Sequence, residues 1–218
     1  MKVIAFLIAT LPSTAIAQDA ILGLLEIPLL HGVNDGSSNS DRALGTVTLF
    51  SEPNVNSDVV AIVGDRRELE SREHDYEQVS AVVYGRAGNA RTGYYYQLRT
   101  AGDEARSGWV WQGDAGLFRG MGALLSSKGL TYLTDAWDRR LYEAPGNDSP
   151  YKSYPDLEAQ QDVRVVGVHS RGGAPAWYLV VLVRGSCTGD PLEVIDYGWV
   201  PEYQETGGNT LWYYSRGC

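Results

Sequence analysis

The chain has 218 residues, 44% hydrophobic and 21% charged, which is enough apolar content for a packed core and too much for a compositionally disordered chain. Asp and Glu number 27 against 18 Lys and Arg, a net charge of −9 with no basic cluster to offset it, which argues against a nucleic-acid partner because an acidic surface repels phosphates. With 25 Gly, 14 Tyr and 6 Trp against 3 Phe, the composition suits short strands and turns better than helices.

The chain opens on an address rather than a fold element. Lys2 supplies a positive charge, residues 3–11 are apolar apart from Thr10, and Ala15-Ile16-Ala17 is a small-residue cleavage site. Residues 1–17 therefore read as a secretory signal peptide. The apolar run is shorter than the roughly 20 residues a bilayer requires, and no later stretch is long enough to cross one. The expected mature chain is periplasmic or extracellular, with no membrane span. Residues 18–44 hold a short N-terminal strand segment, limited by Pro28, and a polar loop rich in Gly, Ser, Asn and Asp over 31–41.

Short strands follow in quick succession. Residues 46–50 (TVTLF), 59–63 (VVAIV), 68–77 (ELESREHDYE, alternating but heavily charged) and 79–84 (VSAVVY) lead into a predicted turn over 85–93. Residues 94–99 (YYYQLR) form the next strand, and Gly108-Trp109-Val110-Trp111 comes after a Gly/Asp turn. Strands this short, with turn residues between them, predict a small sandwich or barrel over 45–120.

Beyond Gly120 the pattern returns. Leu141-Tyr142-Glu143-Ala144-Pro145 repeats Leu49-Phe50-Ser51-Glu52-Pro53, and Gly198-Trp199-Val200 repeats Gly108-Trp109-Val110. The two markers recur at nearly the same offset (141 against 49, 198 against 108), which points to a tandem duplication with a second copy over 121–218. Residues 121–128 (MGALLSSK) read as a short helical or irregular link. Cys187 and Cys218 are the two cysteines, and in an oxidising compartment such a pair reads as a disulfide. Closing a loop of that length stabilises by roughly 3–4 kcal/mol in the chain-entropy account.

A strand with Leu-aromatic-x-x-Pro, a paired hydrophobic strand, then an aromatic strand followed by Gly-Trp-Val resembles the bacterial SH3-like (Src homology 3) domain. Val47-Thr48-Leu49-Phe50-Ser51-Glu52-Pro53, Ser57-Asp58-Val59-Val60 and Gly108-Trp109-Val110 carry the first match; Leu141 to Pro145 and Gly198-Trp199-Val200 carry the second. The resemblance implies an all-β chain of two tandem small SH3-like barrels used as binding modules, as in members appended to cell-wall hydrolases. The expectation is a secreted, non-enzymatic protein recognising an extended peptide, with cell-wall peptide as the ligand. The alternative is an envelope protein–protein regulator or inhibitor that meets a protein partner through an acidic face.

Several side chains are candidates for contact. Trp109, Trp111, Tyr95 and Trp199 are the candidate ligand-binding residues. Trp109 and Trp199, each after a Gly, could be an aromatic ledge for an extended ligand or could close a core. Strand alternation puts Trp109 and Trp111 on one face and Val110 on the other, so an inward Val110 would bring both indoles to the surface. In Tyr94-Tyr95-Tyr96 and Trp212-Tyr213-Tyr214 at least one ring must point outward. The charged stretch groups Glu73, Asp75 and Glu77 on one face and Arg72, His74 and Tyr76 on the other; one His with no second ligand at a defined spacing is a poor metal site. His31, His74 and His169 are the only histidines, and no nucleophile elbow, zinc-protease signature or phosphate loop accompanies them. No catalytic residue, metal or cofactor is expected.

Overall fold

In the computed structural model the described residues are 20–27, 45–76, 78–158, 160–170, 175–185 and 191–216. Half the chain is strand and 8% is helix, in three antiparallel sheets, so the chain is mostly β. Before residue 121 the strands are β1 (Gly23–Leu25), β2 (Val47–Phe50), β3 (Val59–Val63), β4 (Ser71–Asp75), β5 (Gln78–Val83), β6 (Gly85–Asn89), β7 (Gly93–Arg99), β8 (Ser107–Trp111) and β9 (Phe118–Gly120). Helix α1 (Met121–Ser127) follows, with Met121, Leu124 and Leu125 buried at the i, i+3, i+4 spacing of one apolar stripe. After it come β10 (Thr131–Leu133), β11 (Arg140–Tyr142), β12 (Tyr151–Ser153), β13 (Asp162–His169), β14 (Trp177–Arg184), β15 (Glu193–Pro201) and β16 (Leu211–Tyr213). Among the described residues no helix is long and apolar enough to cross a membrane.

The sheets run β4-β5-β1-β9, β3-β2-β8-β7-β6 and β12-β11-β15-β14-β13-β10-β16. One connectivity occurs twice. The five-strand order β3-β2-β8-β7-β6 matches β12-β11-β15-β14-β13, and the trio β5-β1-β9 matches β13-β10-β16. The pairing registers agree as well: Phe50 faces Trp109 and Tyr142 faces Trp199, while Tyr96 faces Val110 and Tyr178 faces Val200. Each Gly before a Trp allows a close approach: a Cβ on Gly108 would stand 2.7 Å from the Leu49 Cβ, and one on Gly198 would stand 2.7 Å from the Leu141 Cβ.

Two cores lie on either side of the four-stranded sheet. Leu25, Ala81 and Val83 join Val47, Leu49, Val63, Leu69, Tyr96, Leu98 and Val110 on one side. Leu24 and Val82 turn the other way, into a core with α1, Trp137, Leu141, Tyr178, Val180, Leu182 and Val200. A sheet buried on both faces needs a continuous apolar run rather than alternation, and β1 (GLL) and residues 81–83 of β5 have that character.

The structure departs from the sequence reading at several points. Instead of two closed barrels there are three open sheets, because the chain breaks at Tyr84 between β5 and β6 and passes from one sheet to the next. The predicted turn over 85–93 is mostly strand β6, whose Ala87 and Gly88 pair with Tyr95 and Tyr94. The charged strand expected over 68–77 is shorter. Residues 66–68 form a 3-10 turn, in which Asp65 accepts from the Arg67 N–H at 2.8 Å and Glu68 accepts from the Asp65 N–H at 2.8 Å. This is a capping box, and it uses Glu68, which alternation alone assigns to a strand. Cys187, Cys218 and the leader lie outside the described residues.

Candidate functional site: an outward aromatic sheet face

Strand alternation in β8 sends Val110 into the core, 0% exposed, and turns Trp109 and Trp111 to the outer face of the five-stranded sheet. Neither indole belongs to either core. On β7 the same alternation buries Tyr96 and Leu98 and turns Tyr95 outward, directly opposite Trp111. The Tyr95 and Trp111 rings lie 4.9 Å apart between centroids, tilted by 52°. Phe50 is the cross-strand partner of Trp109 on the other side. Val59 and Ile62 on the outer strand β3 extend the apolar character and are 55% and 63% exposed.

The face is held in place by glycines and hydrogen bonds. The Trp111 ring lies against Gly93, where an added Cβ would come within 1.9 Å of the indole and where φ is +85°. Gly113 leaves room on the other side of the ring, 2.4 Å from the indole Nε1 to a would-be Cβ. The Tyr95 hydroxyl accepts from the Val55 N–H at 3.3 Å, and the Gln112 side-chain oxygen accepts from the Tyr94 N–H at 3.0 Å. On the opposite side of β7, Arg86 lies over the Tyr94 ring at 3.6 Å, and the Gly93 and Tyr95 contacts hold the outer face. These contacts fix the rotamers of the aromatic platform before any ligand arrives.

Trp199 lies apart from the other three, on the seven-stranded sheet. It faces Tyr142 and Leu179, and His169 meets its ring edge-on at 6.3 Å. Trp177 and Tyr142 make a T-shaped pair at 5.2 Å, and Tyr151 lies 5.5 Å from Tyr142. Trp177, Tyr142 and Tyr151 were not among the candidate ligand-binding residues. Their signal was the repeated pairing of Leu-aromatic-x-x-Pro with Gly-Trp-Val, which fixes what stands beside Trp199. In the two aromatic runs Tyr96 and Tyr213 are the buried members, and Tyr95 and Trp212 are only half-buried.

The charged strand β4 has another role. A bulge between Glu73 and Asp75 turns His74 inward, so it does not share an exposed face with Arg72. Its Nδ1 lies 3.2 Å from the Ser80 Oγ, its Nε2 has no partner, and its backbone carbonyl accepts from Lys128. Burial pushes the His74 imidazole below its usual pKa, with Arg119 adding to the effect. Ser80 and His74 are 3% and 6% exposed, which closes this hydroxyl–imidazole pair to a substrate. The acidic stripe is also partly neutralised: Arg72 pairs with Glu70 at 3.3 Å and Arg216 with Glu73 at 2.9 Å. Among the described residues no group of three or more His, Cys, Asp or Glu could hold a metal ion.

Searches against protein-family models, curated proteins and solved structures find no match for this chain.

Proposed function

We propose that the chain is a secreted, non-enzymatic binding protein of two tandem SH3-like modules, and that it recognises an extended peptide of the cell wall through outward aromatics. The observation that carries this reading is the fully buried Val110, which leaves Trp109 and Trp111 on one outer face with Tyr95 opposite Trp111. A ledge of indole and phenol packs against an extended backbone with little loss of side-chain entropy and keeps polar edges for hydrogen bonds. The repeated strand order and the matched pairs Phe50–Trp109 and Tyr142–Trp199 support the tandem arrangement and make Trp199 the second module's counterpart. A disulfide between Cys187 and Cys218 belongs to the same reading.

Sedimentation with purified peptidoglycan tests the reading. The wild-type chain is expected to co-sediment, and the double variant Trp109→Ala/Trp111→Ala to stay in solution with its fold intact. Equal retention of the double variant, or no retention of wild type, would refute it. Salt-sensitive capture of a basic envelope protein in place of wall material would favour the acidic-face regulator.

A further inference from the structure

We propose that the cleft where the two strand units meet is a second binding site, built for a short peptide with a free carboxylate at one end and a free ammonium at the other. The site is distinct from the aromatic sheet face and does not depend on it. Its walls come from both units: Glu70, Arg72, Tyr84 and Arg99 from before α1, and Asp135 and Trp212 from after it. The cavity measures about 360 Å³, and an adjoining recess of about 280 Å³ shares Arg72, Asp135 and Trp212 with it. That size is at the lower end of the roughly 300–1,000 Å³ of small-ligand sites and suits a ligand of di- or tripeptide size.

The seam that frames the cleft is pinned. The Asn209 side chain accepts from the Ile21 N–H at 2.8 Å and donates to the Ile21 carbonyl at 2.9 Å, so an amide of the second unit completes a strand of the first. The Thr134 hydroxyl donates to the Asn209 carbonyl at 2.5 Å. A preformed cleft spends less of its binding energy on ordering itself.

Charge selects the ligand. The two arginines and the two carboxylates lining the cavity balance, so neither a pure anion nor a pure cation is matched by the whole site. Three of the four charges, Glu70, Arg72 and Arg99, come from before α1, and Asp135 from after it. On one wall Arg72 is held by Glu70 at 3.3 Å, and Arg99 lies over the Tyr84 ring at 4.0 Å. Glu70 is thus occupied in positioning Arg72, which receives the ligand carboxylate by charge-assisted hydrogen bonds. Asp135, exposed and contributed by the second unit, receives the ammonium. Trp212, stacked on Tyr213 at 5.1 Å, offers an indole face to the stem between the two charges.

Titration calorimetry of the full chain with trialanine tests this, beside its N-acetylated and its C-amidated forms. Saturable binding of trialanine is expected, with each blocked form roughly tenfold weaker. Arg72→Gln should erase the penalty for amidation and keep that for acetylation; Asp135→Asn should do the reverse. Both positions are exposed, and unchanged thermal melting of the variants keeps folding out of the comparison. The Trp109→Ala/Trp111→Ala variant should bind trialanine as wild type does, which separates failure of this site from failure of the sheet face. No saturable heat with trialanine, equal binding of the blocked forms, or an equal loss in both charge variants for every form would overturn the proposal.

Discussion

The strands β5 and β13 occupy matching places in the two units, each beside the short strand β1 or β10, yet they are buried differently. In β5 residues 80–83 are all buried, because a core lies on each side. In β13 burial alternates along eight residues, because only one side meets a core. The chain also handles the bend differently. After β5 it breaks at Tyr84 and enters a separate sheet as β6, whereas β13 absorbs the change in register with a bulge between Val165 and Gly167 and stays in one seven-stranded sheet. The same strand order can therefore end as two sheets or one, depending on whether a second layer packs behind the strand.

The largest expected effect tests the two-sided burial. Leu24→Ala removes a side chain from the core behind β1 and should cost about 3 kcal/mol, while Val165→Ala on half-buried β13 should cost about 1 kcal/mol. Urea denaturation of both variants reads the difference, and equal losses would break the contrast. Reduction of the proposed Cys187–Cys218 bridge should destabilise by roughly 3 kcal/mol, checked by melting with and without reductant; no change on reduction would remove the bridge from the account.

Gly93→Ala should cost about 1–3 kcal/mol through left-handed strain and displacement of the Trp111 ring, and should weaken wall binding in parallel. Gly167→Ala in the second unit meets only ordinary contacts with Leu179 and should be close to neutral. Thermal melts of the two variants, with Trp111 quenching as a second readout, decide whether only the first face is braced by glycine. The smallest effect concerns pH. His74 is depressed below its ordinary value of 6.5 when folded, so the unfolded chain binds the extra proton first and stability should fall as pH drops below about 6.5. His74→Gln should flatten that slope in denaturation series from pH 7 to 5, and an unchanged slope would place the acid sensitivity elsewhere.

Local patterns carried much of this architecture. The strand β2, the aromatic strand β7 and the Gly-Trp-Val strands are legible from alternation and from the repeat of two markers. The orientation of Trp109 and Trp111 follows from a single fact, the inward Val110. Other features were not legible for identifiable reasons. Three-residue strands such as β10 and β16 carry too few positions for any period to appear. The capping box at Asp65 drew in Glu68, the first residue of the apparent charged strand. The junction cleft joins Arg72 to Trp212, residues far apart in sequence with no local pattern in common.

The sequence by itself determined an acidic chain of short strands, the two copies of its aromatic markers, and which neighbours along each strand must face opposite ways, since these depend on composition and on the two-residue period of the backbone. Tertiary structure alone decided that the sheets stay open, that one of them lies between two cores, that His74 turns inward, and that Arg72 and Asp135 line one cavity. The reason is that burial on a second face, a bulge and a seam between units all arise from segments distant in the chain, and their contacts leave no mark within any one strand.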